Sequence, residues 1–241
     1  YMSKAGSSDI SSMLGWVPFG IRTPRHHGAT GLPNQNQTAA VHEFFNRGGG
    51  RGLPGDTYTF SPYISTGPIV LDTGPDTVWK QYDGWGNWDT DNGLIECRYD
   101  ISIRGTLVIN GNRAASLVNS GLSTLIGNSV DGTNPKYKSG LFVNALSRNI
   151  KVDIEDLYVY DFIGNSLFFK GEANDTYSVS GRIKNHRSER CGQSARFDRC
   201  VGLEIGTVTA VDTDNRVNGD NNYWYPNGGA VTFFRSQRCP I

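Results

Sequence analysis

Apolar and polar residues alternate along much of the second half of this chain. Residues 149–169 read NIKVDIEDLYVYDFIGNSLFF, with apolar positions at Val152, Ile154, Leu157, Val159, Leu167 and Phe169. A period of two residues is typical of β-strands that bury one face. We therefore predict three short strands in this stretch, separated by turns.

The same pattern returns twice further along the chain. Ile154 to Val179 is 25 residues, and Val179 to Leu203 is 24. A repeat of this length indicates stacked units that bury their apolar faces only against their neighbours. The pattern predicts coils of a parallel β-helix, with Ile154, Val179 and Leu203 in one ladder at the ~4.8 Å strand spacing. The interior would be apolar, so any chemistry should lie outside.

The first quarter of the chain has a different pattern. Thr38–Asn46 is predicted as an amphipathic helix, because Ala40, Val41, Phe44 and Phe45 share one face and residues 48–50 are glycines. A strand follows over residues 53–60. An open end of a stack exposes backbone and apolar interior, so a cap is needed there. We predict an arm or linker at 1–27, a capping helix with the first strand at 28–60, and coils at 61–241 that are incomplete at the C-terminus.

Three motifs in this region carry a family resemblance. They are HGATG at 27–31, TAAV at 38–41 and LPGDTY at 53–58. The segment resembles the opening of the pectate-lyase-like right-handed β-helix proteins, which include polygalacturonases, pectate lyases and bacteriophage tailspike depolymerases. Residues 34–37 read NQNQ where that family has an Asp-rich turn. The resemblance implies an all-β fold: a right-handed single-stranded parallel β-helix with a short N-terminal capping helix.

Within that family the chain is most similar to tailspikes, because its arm shows no periodicity and no secretion signal is recognised. Polygalacturonases carry acids at two positions where this chain has Gly-Asn-Ser (164–166) and Gly-Gln-Ser (192–194). The resemblance implies a homotrimer in a virion tail, contacting other tail proteins through the arm. It implies binding and depolymerisation of a bacterial capsule, O-antigen or exopolysaccharide. The alternatives are a free, secreted polysaccharide lyase or hydrolase, and a non-catalytic structural or adhesin appendage.

The composition limits the classes of partner that we expect for this chain. The chain has 23 basic and 23 acidic residues among 241, so no field that would attract nucleic acid is expected. No apolar run approaches the ~20 residues that span a membrane. No cofactor is predicted. The four cysteines lack the spacing of a zinc site and are predicted as small buried side chains, although a bridge between Cys191 and Cys200 stays open.

The longest loop of the regular coils is the best candidate for contact with carbohydrate. Residues 212–227 read DTDNRVNGDNNYWYPN and combine hydrogen-bonding side chains with an aromatic platform. The predicted binding residues are Asp212, Asp214, Arg216, Tyr223, Trp224 and Tyr225, together with Arg187. An ordinary solvated loop is the alternative. Arg216 and Val217 stand at the fifth and sixth positions, where a calcium-binding EF-hand loop needs Asp or Asn and then Gly, so no metal site is predicted.

Glycoside hydrolysis requires two carboxylates, ~5 Å apart for retention and ~6.5–9.5 Å apart for inversion. Stacked strands supply such distances, and two sets of acids qualify. In the predicted register Glu155 aligns with Ser180 and Glu204, with one coil between the two acids. The preferred catalytic set is Asp161, Glu189 and Asp220, which share a side with the long loop. Solvated surface acids are the alternative explanation for both sets.

Two further groups have open interpretations. Lys184, His186, Arg187 and Arg190 could supply the base of a lyase, or could keep the surface soluble. Aromatic residues at 79, 82, 85 and 88 could stack on sugar rings, or could pack against the cap. The sequence therefore predicts a polysaccharide-degrading enzyme, either a hydrolase or a lyase.

Overall fold

Strands alternate between two parallel sheets through most of the structure, a computed structural model. The structure describes residues 2–4, 16–18, 22–82, 92–119, 138–162, 164–211, 216–217, 220–223 and 231–239. This described chain is mostly β-structure, and its two large sheets are parallel.

The elements follow in chain order. The strands are β1 (Met2–Lys4), β2 (Trp16–Pro18), β3 (Gly49–Gly52), β4 (Thr57–Phe60), β5 (Tyr63–Ile64), β6 (Ile69–Thr73), β7 (Val78–Gln81), β8 (Asn92–Cys97), β9 (Ile101–Asn110), β10 (Lys138–Asn144), β11 (Ile150–Tyr160), β12 (Asn165–Lys170), β13 (Val179–Glu189), β14 (Gln193–Asp198), β15 (Cys200–Val211), β16 (Arg216–Val217), β17 (Asp220–Tyr223) and β18 (Val231–Phe234). A 3-10 helix covers Pro24–His27, and the α-helices are α1 (Thr38–Asn46) and α2 (Arg113–Asn119).

The two large sheets gain strands alternately along the chain. The eight-stranded sheet has the order β15-β13-β11-β9-β6-β3, with β4 and β7 joined beside β9, and the six-stranded sheet has the order β18-β14-β12-β10-β8-β5. From β8 to β15 each strand of one sheet is followed in the chain by a strand of the other. Every strand therefore extends its sheet at the same edge, so side chains stack in ladders.

The core consists of these ladders. In the eight-stranded sheet Ile154 lies between Ile103 and Ile183, and Ile183 pairs with Ile205; all four are buried. Burying one such side chain stabilises the fold by roughly 1.5–3 kcal/mol. The predicted ladder of Ile154, Val179 and Leu203 is wrong: Val179 pairs with Ile150, and Leu203 pairs with Gly181. The observed repeats are 29 and 22 residues, from Ile154 to Ile183 and then to Ile205.

The long strands bend in the middle. In β11 two outward residues, Glu155 and Asp156, separate the buried Ile154 from the buried Leu157. On β9 the facing position holds an extra residue, Gly105, with φ +72°, so the pair forms a bulge. Two of the predicted short strands are thus one bent strand, because the hydrogen-bonded ladder resumes after the bend.

Helix α1 has the bounds that the pattern predicts, and it buries Ala40, Val41, Phe44 and Phe45 as expected. Trp79 is fully buried, and its ring centroid lies 5.9 Å from that of Phe44 and 5.2 Å from that of Phe45. The packing interpretation of Trp79 is therefore confirmed. Tyr82 is partly buried, and residues 85 and 88 lie outside the described residues.

Two other expectations concern local structure. Arg113–Asn119 forms a helix that the sequence pattern does not predict. Cys97, Cys191 and Cys200 are buried as predicted, and all four cysteines are free thiols, so the open Cys191–Cys200 bridge does not form. Within the described part of the chain, no helix is long and apolar enough to cross a membrane.

Candidate functional site

The candidate site lies where β11 and β13 end side by side. Tyr158 pairs with Arg187, and Tyr160 pairs with Glu189. All four alternate with buried residues along their strands, so their side chains project outward. Parallel pairing without a register shift between these two strands places the four on one small surface.

Both strands turn in the same way at this end. Asp161 and Arg190, the residues after the last strand positions, have φ of 55° and 50°. The Asp161 amide donates to the Glu189 carbonyl at 3.1 Å, and the Arg190 amide donates to the Val211 carbonyl at 3.0 Å. The left-handed conformation is uncommon for residues other than glycine. Its repetition keeps the turns stacked and holds the Asp161 and Arg190 side chains together.

A single guanidinium connects the two carboxylates. Arg190 Nε donates to Asp161 Oδ1 at 2.6 Å, and Arg190 Nη2 donates to Asp161 Oδ2 at 3.2 Å. Arg190 Nη1 donates to Glu189 Oε1. The pair with Asp161 is bidentate, the geometry that fixes a guanidinium plane most firmly. Asp161 therefore orients Arg190, and Arg190 holds Glu189.

The second oxygen of Glu189 accepts two more hydrogen bonds. The Tyr158 hydroxyl donates to Glu189 Oε2 at 2.8 Å, and Arg187 Nη2 donates to the same oxygen at 3.2 Å. The Arg187 guanidinium also lies 5.0 Å from the centroid of the Tyr158 ring, and Tyr160 stacks on Tyr158 at 5.2 Å. We call Tyr158, Asp161, Arg187, Glu189 and Arg190 the guanidinium cluster.

The cluster sets its own protonation states. The hydrogen bond from Tyr158 lowers the pKa of Glu189, and the charges of Arg190 and Arg187 lower it further. Burial and the bond to Glu189 raise the pKa of Tyr158 to about 12. The hydrogen bond to Asp161 raises the pKa of Arg190 above its already high value. At neutral pH Glu189 is a carboxylate and Tyr158 a neutral hydrogen-bond donor.

The structure brings together three of the predicted site residues: Asp161, Glu189 and Arg187. The predicted Arg216, Asp220 and Tyr223 lie on the antiparallel hairpin of β16 and β17, in which Arg216 pairs with Tyr223 and Val217 with Asp220. Asp212, Asp214, Trp224 and Tyr225 lie outside the described residues. The chain leaves β15 at Val211, beside the Arg190 turn, and then enters the hairpin.

The alternative pair of acids does not align. By register Glu204 faces Arg182, which in turn faces Asp153, whereas Glu155 lies beside Lys184. Glu155 Oε2 accepts a hydrogen bond from the Gly105 amide at 2.8 Å, and Lys184 Nζ lies 3.9 Å from its other oxygen. Glu155 therefore accepts the backbone hydrogen bond of the bulge in β9, which is a structural role.

The residues considered as the base of a lyase lie on two different sides of the sheet. His186 pairs with Leu157 and points into the core, where it is 2% exposed. His186 Nε2 lies 3.1 Å from the Ser194 carbonyl oxygen, which only accepts, so this nitrogen carries the proton. Burial lowers the pKa of His186 to about 4. It cannot meet a substrate on the surface.

Sequence reasoning gave no site role to Tyr158 and treated Arg190 only as a possible lyase base. The outward alternation of Tyr158 and Tyr160 next to Asp161 was a usable signal for an aromatic surface. The bridging position of Arg190 could not be found, because it depends on the register between β11 and β13. Among the described residues, no three His, Cys, Asp or Glu side chains are grouped to hold a metal ion.

Comparison with known proteins adds a fold relative. The crystal structure of a "putative glycosyl hydrolase" from Parabacteroides merdae ATCC 43184 is similar to this chain, with a TM-score of 0.56 and 12% sequence identity over 91% of this chain and 96% of that chain. No protein-family profile and no curated protein sequence matches the chain. At so low an identity the likeness concerns the fold alone.

Proposed function

We propose that this protein binds a bacterial surface polysaccharide and depolymerises it. In this proposal the two parallel sheets are the faces of a right-handed parallel β-helix, capped by α1. The alternation of successive strands between the sheets, the stacked ladders and the likeness to the Parabacteroides merdae protein support this architecture. That relative's description as a glycosyl hydrolase supports the carbohydrate chemistry.

The guanidinium cluster is the observation on which the function rests. It places two carboxylates and a tyrosine hydroxyl on one outward surface, joined through Arg190. Glycoside hydrolysis usually requires two carboxylates that flank the bond, and in this proposal Glu189 of the cluster is one of them. The stacked tyrosines beside them provide apolar faces of the kind that the CH groups of sugar rings pack against.

Each residue has a distinct role in the proposed reaction. Glu189, which is ionised at neutral pH, accepts a proton from the attacking water or attacks the sugar directly. Asp161 orients Arg190 and thereby Glu189. Asp220, on the hairpin that follows β15, donates a proton to the glycosidic oxygen as that bond breaks.

The biological setting belongs to the same proposal. The motif resemblance supports a phage tailspike that forms a homotrimer in the virion tail, with the N-terminal arm contacting other tail proteins. A secreted bacterial enzyme with the same chemistry is the alternative.

The test is depolymerisation of a panel of capsular, O-antigen and exopolysaccharides. Reducing ends report hydrolysis, and ultraviolet absorbance of an unsaturated uronate reports elimination. Glu189→Gln removes the base or nucleophile and should therefore lower the depolymerisation rate by about 100-fold or more. Glu155→Gln is the matched control, because Glu155 lies on the neighbouring strand and serves the bulge. Activity that survives Glu189→Gln but not Glu155→Gln would contradict the placement of the site.

One observation favours binding without cleavage as a second candidate. All four oxygens of Asp161 and Glu189 already accept hydrogen bonds within the cluster. An adhesin would bind a polysaccharide from the panel and release no product from it. The same panel separates the two candidates, because binding and product release are measured side by side.

A further inference from the structure

In the guanidinium cluster the positively charged side chains are more exposed to solvent than the negatively charged ones. The side chains of Arg187 and Arg190 are 56% and 42% exposed, whereas those of Glu189 and Asp161 are 18% and 30% exposed. The formal charges cancel, but the carboxylates lie deeper than the guanidinium groups. A ligand approaching from solvent therefore meets positive charge first.

The hydrogen-bonding capacity is distributed in the same way. The carboxylate oxygens are occupied, whereas within the described residues three of the five N–H donors of Arg190 are used, by its bonds to Asp161 and Glu189. Arg187 uses one N–H donor on Glu189. A neutral sugar hydroxyl is best bound by donors and acceptors together. This surface offers donors, which suits a ligand group that only accepts.

We propose that the guanidinium cluster binds the carboxylate group of an acidic sugar, with Arg187 and Arg190 as its hydrogen-bond donors. This inference rests on the proposed polysaccharide binding and specifies the class of sugar. Guanidinium groups match the planar fork of a carboxylate. Tyr160, stacked on Tyr158 and partly exposed, extends an apolar face along which the sugar ring would lie.

Asp161 and Glu189 hold the two guanidinium groups in place. Without them the flexible arginine side chains would lose conformational entropy on binding, which lowers affinity. Both carboxylate oxygens of Asp161 accept hydrogen bonds from Arg190, so Asp161 does not act as an acid or a base in this site. Asp161 is thus a positioning residue in this site.

The experiment compares acidic polysaccharides with their carboxyl-reduced forms. Glucuronate-containing and galacturonate-containing oligosaccharides, together with the bacterial polysaccharide panel, are titrated into the full chain before and after reduction of the carboxylates to alcohols. The acidic form should bind at least tenfold more tightly, as one charge-assisted hydrogen bond allows. Binding should weaken with salt. Equal affinity of the two forms, or no binding of any acidic member, would overturn the inference.

Variants locate the site. Arg187→Gln should weaken binding of the acidic form about tenfold and leave the reduced form unchanged. Arg182→Gln is the matched control, because Arg182 is 65% exposed on the same strand and pairs with Asp153 at 2.7 Å. It should bind like the wild type. Equal losses in both variants would show a general charge effect and refute the site. Circular dichroism and thermal unfolding check that both variants fold.

Two outcomes separate this inference from the proposed cleavage. Cleavage that is equally fast on acidic and reduced polymers would leave the depolymerase standing and refute the acidic subsite. Arg187-dependent binding of acidic sugars without product would support the subsite and refute cleavage. Competition with excess inorganic sulfate distinguishes the ligand source: a site filled by sulfate that binds no acidic saccharide is a small-anion site, which contradicts the proposal.

Discussion

His186 shows how the direction of one side chain on a strand decides its chemistry. Its neighbours Lys184 and Arg187 are exposed, but His186 faces the core between Leu157 and Val208. There it lies 2.9 Å from the Ser166 hydroxyl oxygen, in a small polar region within the apolar ladders. Burial favours the neutral form, which explains the lowered pKa.

His186 should therefore make stability depend on pH. The folded pKa of about 4 lies below the reference value of 6.5, so the unfolded chain takes up the proton first as the pH falls. Stability should be fully present above about pH 6.5 and decrease by about 3 kcal/mol as the pH falls to about 4. Urea unfolding at a series of pH values measures this decrease.

The control for this prediction is His186→Leu, which cannot titrate. The difference in unfolding free energy between wild type and variant should change by about 3 kcal/mol across that pH range. A constant difference would show that His186 does not cause the pH dependence. Comparing the two proteins cancels the contributions of other acids, including Asp198, whose pKa is raised by burial.

At the scale of elements, α1 is held by an aromatic cluster rather than by its own propensity. It has nine residues, too few for stability in isolation, and no side-chain hydrogen bond at its N-cap. The aromatic cluster includes Phe44 and Phe45 from the helix, Tyr58 and Phe60 from β4, and Trp79 from β7. Helix α1 is therefore joined to the first strands through Trp79.

Replacing Trp79 should weaken the packing of α1 against the strands. Trp79→Ala removes a fully buried ring and should lower the free energy of unfolding by about 3–5 kcal/mol. Chemical unfolding followed by circular dichroism measures the loss. Val70→Ala, at a 53% exposed position on β6, is the control and should change stability by less than about 0.5 kcal/mol. A similar small effect at Trp79 would contradict the role of the cluster.

At the scale of the whole molecule, the two large sheets share an open edge. In the described chain β15 and β18 are the last strands of their sheets. Val211, Phe233 and Phe234 are 38%, 37% and 42% exposed there, although Phe233 continues the ladder of the buried Phe197. Gln237 pairs with the start of β15, and the exposed apolar side chains beyond that bridge form a surface on which further strands can pair.

This edge should make the 241-residue chain self-associate. The mean size in light scattering should rise with protein concentration, and Phe234→Lys combined with Val211→Lys should reduce that rise, since charge on an edge strand opposes pairing. Leu32→Lys, at another exposed apolar position, is the control. A particle of fixed size that neither set of substitutions alters would contradict association through this edge.

The local patterns predicted the local elements well. The bounds of α1, its four buried residues and the alternation of β11 depend on neighbours within a few positions of the chain. The candidate site was predicted in part, because the sequence pattern indicates Asp161, Glu189 and Arg187, which the structure brings together. Arg190 was given no bridging role, because its bond to Asp161 spans 29 residues.

What the sequence determined by itself is therefore the class of structure: apolar periodicity alone identified strands with one buried face, and an amphipathic segment identified the helix. Only the tertiary structure decided which residues are neighbours across strands. The bulge at Gly105, the irregularity between Val179 and Gly181 and the unequal repeats shift the register by whole residues. Such shifts cost little locally and leave the alternation unchanged, so the sequence pattern does not record them. The register nevertheless decides that Glu155 supports a bulge and that Asp161 lies beside Arg190.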